Sequence, residues 1–153
     1  MRVPHILFSV INPAMSALLR SPLHRIVSSS VLRLSFEARR SKRAIVLPLR
    51  YARIDGEIHC FTTDDSRWWR NLKDLRSVEA LIAGETITCV ATASRVCEGN
   101  SLNLLRAFLT AYPSDASYHD VSVTNSIPSE ADLARTPARS IHVRIRELAS
   151  ANT

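Results

Sequence analysis

Val31-Leu32-Arg33-Leu34-Ser35-Phe36-Glu37-Ala38 sets Leu32, Leu34, Phe36 and Ala38 in alternation with Val31, Arg33, Ser35 and Glu37. A period of two sustained over eight residues marks a strand with one buried and one wet face. Beyond it, Arg39-Arg40-Ser41-Lys42-Arg43 is a charged connection, and Ile45, Leu47, Leu49 and Tyr51 then alternate with Val46, Pro48 and Arg50. Asp55-Gly56 has the chemistry of a hairpin turn, and Ile58 to Thr63 returns as a third strand. The expectation is a three-stranded antiparallel meander.

Further strands are predicted at Val78–Ile82, at Thr86–Cys97 after a Gly84-Glu85 turn, and from Ile141. In the last, Ile141, Val143 and Ile145 face inward while His142, Arg144 and Arg146 face outward. Asp64, Asp65 and Ser66 offer caps for a helix over Arg67–Leu75, with Trp68, Leu72 and Leu75 on one face. A second helix begins at Asn100 or Ser101 and ends before Pro113, with Leu102, Leu105, Leu109 and Tyr112 on its apolar side. Ser114–Pro128 reads as a polar loop, and Ser129-Glu130-Ala131-Asp132 resembles a capping box opening a brief helix to Arg135.

Residues 1–30 read as an N-terminal helical segment. Asn12-Pro13 is a cap followed by a first-turn proline, and Pro22 divides two amphipathic helices, Ala14–Arg20 and Pro22–Ser28. A flap over the sheet is the favoured role for this segment, and peripheral membrane contact the less favoured one. Residues 31–153 then form an α+β domain of mostly antiparallel strands with inserted helices, on a closed or nearly closed sheet. A parallel doubly wound sheet does not fit, because helices do not separate every pair of strands.

The chain has 153 residues, enough for one core without metals or disulfides. Its apolar run Ile6 to Ile11 is far shorter than the ~18 residues of a spanning helix, and no secretory leader pattern is evident. Cys60, Cys89 and Cys97 lack metal-ligand spacing and are expected to be buried thiols in a reducing cytoplasm. Eighteen of the twenty basic residues are arginine, giving a net charge of +6. Arginine's planar fork suits phosphate and carboxylate.

Arg39, Arg40, Lys42 and Arg43 crowd four cations into one turn, which is either an anion site or a solvated connection. As an anion site, Arg39, Arg40 and Arg43 hold a phosphate by charge-assisted hydrogen bonds, with the Ser41 hydroxyl as a nearer donor. Pro48 cannot donate to a ladder, so its neighbour is missing or bulged and a flat ligand can meet the backbone there. Thr62 and Thr63 end the adjacent strand. Trp68 is read as core, whereas Trp69 points elsewhere and can cover a ring. The histidines at 5, 24, 59, 119 and 142 show no metal spacing. No nucleophile elbow, Walker loop or dinucleotide fingerprint occurs, so no catalytic side chain is assigned. Any chemistry is expected to come from a bound cofactor. Nucleic-acid binding is disfavoured, because aromatics are not interleaved along a strand face.

Asn12-Pro13, Leu19-Arg20-Ser21-Pro22-Leu23-His24-Arg25, Arg39-Arg40-Ser41, Pro48-Leu49-Arg50-Tyr51, Asp55-Gly56 and Trp68-Trp69-Arg70-Asn71-Leu72, in this order, resemble the deazaflavin-dependent nitroreductase family. That family belongs to the split β-barrel, flavin-binding superfamily related to the pyridoxamine phosphate oxidases. The resemblance covers residues 12–97 well and the remainder loosely. It implies a split β-barrel binding a deazaflavin coenzyme of the F-420 type, with FMN as the alternative, and passing a hydride to a small-molecule acceptor such as a quinone or nitroaromatic. A non-catalytic module binding a flavin or phosphorylated ligand is the other alternative. By the same resemblance the basic turn holds the phosphate tail, Pro48 and Leu49 back the ring, and Thr62 and Thr63 contact the ring or its ribityl chain. Trp69 and Asn71 close the site, and Tyr118 approaches the electron acceptor. Split-barrel relatives are often dimers, which makes a homodimer an expectation. The family turn is usually Gly-Arg-Lys/Arg-Ser-Gly, and here Ala38 and Lys42 stand at its two glycine positions.

Overall fold

The computed structural model describes residues 31–97 and 100–148, so the predicted N-terminal helical segment lies outside the described residues. Among the described residues there are nine strands: β1 (Val31–Glu37), β2 (Ala44–Arg50), β3 (Ala52–Ile54), β4 (Glu57–Thr63), β5 (Arg76–Ile82), β6 (Glu85–Arg95), β7 (Val123–Thr124), β8 (Ile127–Pro128) and β9 (Ser140–Glu147). Seven of them make one sheet in the order β2-β1-β5-β6-β9-β4-β3, every pairing antiparallel. The two edges, β2 and β3, are consecutive pieces of the same chain, interrupted only at Tyr51. A strand shared between both edges requires the sheet to curl round on itself. The mostly antiparallel, nearly closed α+β architecture predicted from periodicity is the one observed.

The meander is corrected. β2 pairs with β1, from Val31 opposite Arg50 to Glu37 opposite Ala44, but β4 lies at the far end of the sheet beside β3 and β9. The strand over residues 44–54 is split because Tyr51 leaves the ladder. Its carbonyl instead accepts a 2.8 Å hydrogen bond from the Tyr112 hydroxyl. Pro48 sits on edge strand β2 opposite Arg33 in an unbroken register, so its missing N–H removes no ladder bond toward a further strand. Asp55-Gly56 forms the predicted two-residue turn, both residues at positive φ. The next hairpin turns at Ala83-Gly84, one residue earlier than expected, with Ala83 itself at φ 51°.

Two apolar clusters pack on opposite faces of the sheet. The inner one joins Leu32, Leu34, Leu47, Cys60, Leu72, Ala91 and the inward residues Ile141, Val143 and Ile145 of β9. The outer one lies beneath α1 (Asn100–Ala111), whose Leu104, Leu105, Phe108 and Leu109 cover Phe61, Val96 and Leu133. Covering the sheet on both sides changes the expected wet face of β9, where His142 is buried at 4 % exposure. Cys60 and Cys89 are buried as expected, whereas Cys97 is exposed where β6 ends.

The predicted helix over Arg67–Leu75 is a five-residue 3-10 turn, Trp68–Leu72. Its tighter winding buries Trp68, Trp69 and Leu72 together, while Leu75 is exposed. Ser66 does not cap it; its hydroxyl donates to the Thr63 carbonyl at 2.8 Å. Ser114–Pro128 is likewise no simple polar loop. A 3-10 segment, Pro113–His119, buries Ala116, Tyr118 and His119, and β7 pairs with β8 beyond it. The short helix α2 (Glu130–Leu133) is capped as predicted, the Ser129 hydroxyl accepting from the Asp132 N–H. No helix among the described residues is long and apolar enough to cross a membrane.

Candidate functional site

The basic connection between β1 and β2 is a closed turn. The Ala38 N–H donates to the Arg43 carbonyl at 2.8 Å and the Lys42 N–H to the Ala38 carbonyl at 3.1 Å. Lys42 adopts φ 59°, the left-handed conformation that glycine accepts without cost. An ordinary side chain there costs about 1–2 kcal/mol, which exceeds the ~0.4–1 kcal/mol of extra unfolded-chain entropy that glycine brings. Lys42→Gly is therefore expected to leave Tm unchanged or raise it slightly in thermal unfolding; a clear fall in Tm would show the lysine side chain to be structural.

Asn71 ties this turn to the Trp68–Leu72 segment. Its side-chain oxygen accepts from the Arg39 N–H at 2.9 Å, its carbonyl accepts from Arg39 Nε at 3.1 Å, and its own amide donates to the Trp68 carbonyl at 3.0 Å. Arg39 also pairs with Asp74 at 3.3 Å. Between the two anchored pieces lies a cleft of about 500 Å³ lined by Ala38, Arg39, Arg40, Ser41, Arg70, Asn71 and Lys73. Among the described residues, no carboxylate comes within ion-pair reach of Arg40, Arg70 or Lys73. Ser41 turns its hydroxyl toward the Arg43 N–H at 3.3 Å, and Arg43 is exposed on the return side of the turn rather than in the cleft lining.

The remaining candidates lie in a buried group. Thr62 shares a 2.8 Å hydrogen bond with Ser66 and a 3.4 Å contact with the Tyr118 hydroxyl, which is 3.3 Å from Thr63 Oγ1. Thr63 also donates to the Asp65 carboxylate. A hydroxyl has one proton, so with that of Ser66 given to the Thr63 carbonyl and that of Thr62 to Ser66, the Tyr118 O–H is the donor toward Thr62. Trp69, 4 % exposed, donates from Nε1 to the Asp64 carbonyl at 3.3 Å. Its ring lies within 5.5–5.9 Å of Lys73, Arg70 and Arg95, linking the buried hydroxyls to the basic cleft. Leu49 is buried in the inner core and Pro48 is half-buried on the edge strand.

Two features were not read from the sequence. Arg70 and Lys73 join the cleft because a 3-10 turn, unlike the expected α-helix, brings both beside the β1–β2 connection. His59 and His142 are cross-strand neighbours whose rings meet at 2.8 Å, Nδ1 to Nε2, with Phe61 stacked on His142 at 4.8 Å. Their separation of 83 residues hides this pairing from any spacing rule. Burial lowers the pKa of both, that of His142 to about 3, the neighbouring His59 and Arg144 charges adding to the effect there. His119, hydrogen-bonded to Ser140 at 2.8 Å, is lowered to about 4 by burial and by Arg139.

No family profile and no curated protein matches this sequence. Solved structures do match in shape. A NimC/NimA family protein from Clostridium acetobutylicum superposes with a TM-score of 0.50 at 11% identity, covering 86% of each chain. An FAD-binding protein from Mesorhizobium loti gives a TM-score of 0.45 at 13% identity, over 91% of this chain and 90% of that one. An FAD and heme binding protein from Mycobacterium smegmatis gives 0.39 at 12% identity, over 87% and 69%. At 11% identity the likeness to the NimC/NimA family protein is one of fold: a curled antiparallel sheet with helices against it, in keeping with a split barrel.

Proposed function

We propose that this protein binds a phosphorylated flavin-type cofactor and that its tail lies in the basic cleft, with a deazaflavin of the F-420 type as the leading candidate and FMN as the alternative. The observation that carries the reading is the convergence of Arg39, Arg40, Arg70 and Lys73 on one cleft of about 500 Å³, opposed among the described residues only by Asp74. Arg40 and Ser41, without a carboxylate partner among the described residues, suit the phosphate. Arg39, held by Asn71 and Asp74, fixes the shape of the turn. The resemblance to the deazaflavin-dependent nitroreductases supplies the rest: the ring against Pro48, Leu49, Thr62 and Thr63, Trp69 and Asn71 at its border, and Tyr118 toward a quinone or nitroaromatic acceptor. When bound and reduced, such a cofactor supplies the hydride. The protein's own contribution is placement of the two reactants, which needs no acid or base side chain. A cytoplasmic setting and a homodimer belong to the same reading.

A second reading is a module that holds the ligand without turnover. The burial and mutual hydrogen bonding of Thr62, Thr63, Ser66 and Tyr118 favour it, since their polar atoms are already satisfied.

Fluorescence titration with the 8-hydroxy-5-deazaflavin coenzyme and, in parallel, FMN tests both. Saturable binding is expected, weakened well over tenfold by joint Arg39→Ala and Arg40→Ala substitution, since a hydrogen bond to a charged group contributes about 1.5–3 kcal/mol. Arg40→Ala alone separates ligand contact from turn stability. Unchanged affinity in the double variant removes this site. Turnover of the reduced cofactor with a quinone then decides between enzyme and module.

A further inference from the structure

The 3-10 segment Pro113–His119 is fastened to the sheet by two adjacent side chains of different chemistry. Tyr118 reaches Thr62 and Thr63 at 3.4 and 3.3 Å, and His119 shares a 2.8 Å hydrogen bond with Ser140. Both anchors close on one place, because Ser140 lies directly opposite Thr63 in the β4–β9 register. The segment buries little besides: Ala116 within it and Val121 just beyond. Its own backbone bonds, from the Asp120 N–H to the Ser117 carbonyl at 3.1 Å and from the Val121 N–H to the Ala116 carbonyl at 2.9 Å, belong to a stretch too short to persist off the sheet.

His119 is the anchor that acid can change. Its ring is buried edge-on to Phe61 at 6.5 Å and to Tyr118 at 5.4 Å, and its hydrogen-bond partner is a neutral hydroxyl. A proton on it meets Arg139, which repels it, and Asp120, which attracts it but is itself paired with Arg139. Around the same Phe61, β9 presents His142 with Arg144 beyond, β4 presents His59 with Glu57 beyond, and α1 contributes the uncharged Phe108 and Tyr112. Nothing here compensates a buried imidazolium, so charging it favours whichever arrangement returns it to water. At the far end of the segment Asp115, bonded by Arg50 at 2.9 Å, works in the opposite sense, since burial raises its pKa and acid favours its closed position.

We propose that His119 is an acid-operated latch: on taking up a proton it releases residues 113–121 from the sheet while β4 and β9 stay paired, and it withdraws Tyr118 from the hydroxyls of Thr62 and Thr63. The opening is local and precedes unfolding of the whole domain. It does not rest on the proposed function. Where that reading holds, the latch puts the ring end of the site under the control of pH.

Amide hydrogen exchange of the whole protein, read residue by residue as protection factors at successive pH values, tests it. Below about pH 6 the Asp120 and Val121 amides are expected to lose protection about tenfold per pH unit, the response of one proton, and near pH 5 to exchange well ahead of the amides of β4 and β9. His119→Asn, which keeps a partner for Ser140, should abolish that loss. Arg139→Gln changes a partly exposed side chain, removes the repelling cation and so lets the folded ring accept a proton more readily; it should shrink the loss. Equal protection of Val121 and the β9 amides at every pH would mean that the segment opens only with the whole domain, which overturns the latch. Early exchange that ignores pH, or a loss that survives in both variants, overturns it as well. None of these readouts involves a flavin, so failure of the latch and failure of the proposed function are separate results.

Discussion

Lowering the pH from 7 to 4.5 should remove about 5 kcal/mol of folding stability, through His119 and His142. In the folded protein burial holds their imidazoles neutral, with pKa values near 4 and 3, below the ordinary 6.5 that they regain on unfolding. The unfolded chain therefore takes up protons that the folded chain refuses. The stabilisation is fully present above pH 6.5, and it is lost as pH falls below 6.5 toward the folded values. Each histidine contributes a slope of about 1.4 kcal/mol per pH unit in that window, so two acting over roughly two units give the stated total. Domains of this size hold only ~5–15 kcal/mol.

The surroundings sharpen the effect. Arg144 repels a proton on His59 and His142, Arg139 repels one on His119, and Glu57, Asp55 and Asp120 only partly oppose them. His59 and His142 share one short hydrogen bond and cannot both be charged at 2.8 Å without strong repulsion. Asp115 acts in the other direction, because burial raises its pKa despite the 2.9 Å bond from Arg50. Urea unfolding at pH 7, 6, 5 and 4.5 should show a midpoint that falls steadily. His119→Asn, which keeps a partner for Ser140, should flatten the slope by one proton. A midpoint indifferent to pH over this range would mean that these rings are hydrated.

The periodicity of Val31–Ala38, Ile45–Tyr51 and Ile141–Arg146 made the sheet legible, because a period of two is local. Its closure was not legible. It depends on Tyr51 leaving the ladder and on the hydroxyl of Tyr112, 61 residues later, donating to its carbonyl. The same limit applied to the site. A run of cations at 39–43 is visible in any sequence, and Asn71 was named through the resemblance, but Arg70 and Lys73 became neighbours of Arg40 only through the tight 3-10 turn. The buried histidines were discounted one by one because each, alone, is ordinary. They meet around Phe61, which stacks on His142 and lies edge-on to His119; Phe61 itself sits beneath α1, whose apolar face was predicted from spacing without any indication of what it would cover.

That covering role makes Phe108 the side chain whose loss should cost most. It is 1 % exposed and meets Phe61 and Tyr112 edge-on, each at 5.1 Å between ring centres. Phe61 in turn stacks on His142, which stacks on His59 at 5.1 Å. Phe108→Ala removes the keystone between helix and sheet and should destabilise by about 3–5 kcal/mol, from lost transfer energy plus the cavity left behind. Phe108→Leu refills much of that volume and should cost considerably less. The alanine variant should also admit water above Phe61, and desolvation is the leading cause of the low His142 pKa. Its pKa should then move upward toward 6.5, which an NMR titration of the histidine ring protons reads directly. Phe108→Ala would thus be less stable at pH 7 and less sensitive to acid below it. A variant that lost stability with the His142 titration unchanged would show that the helix and the histidine stack are independent, and the acid response would then belong to the strands alone.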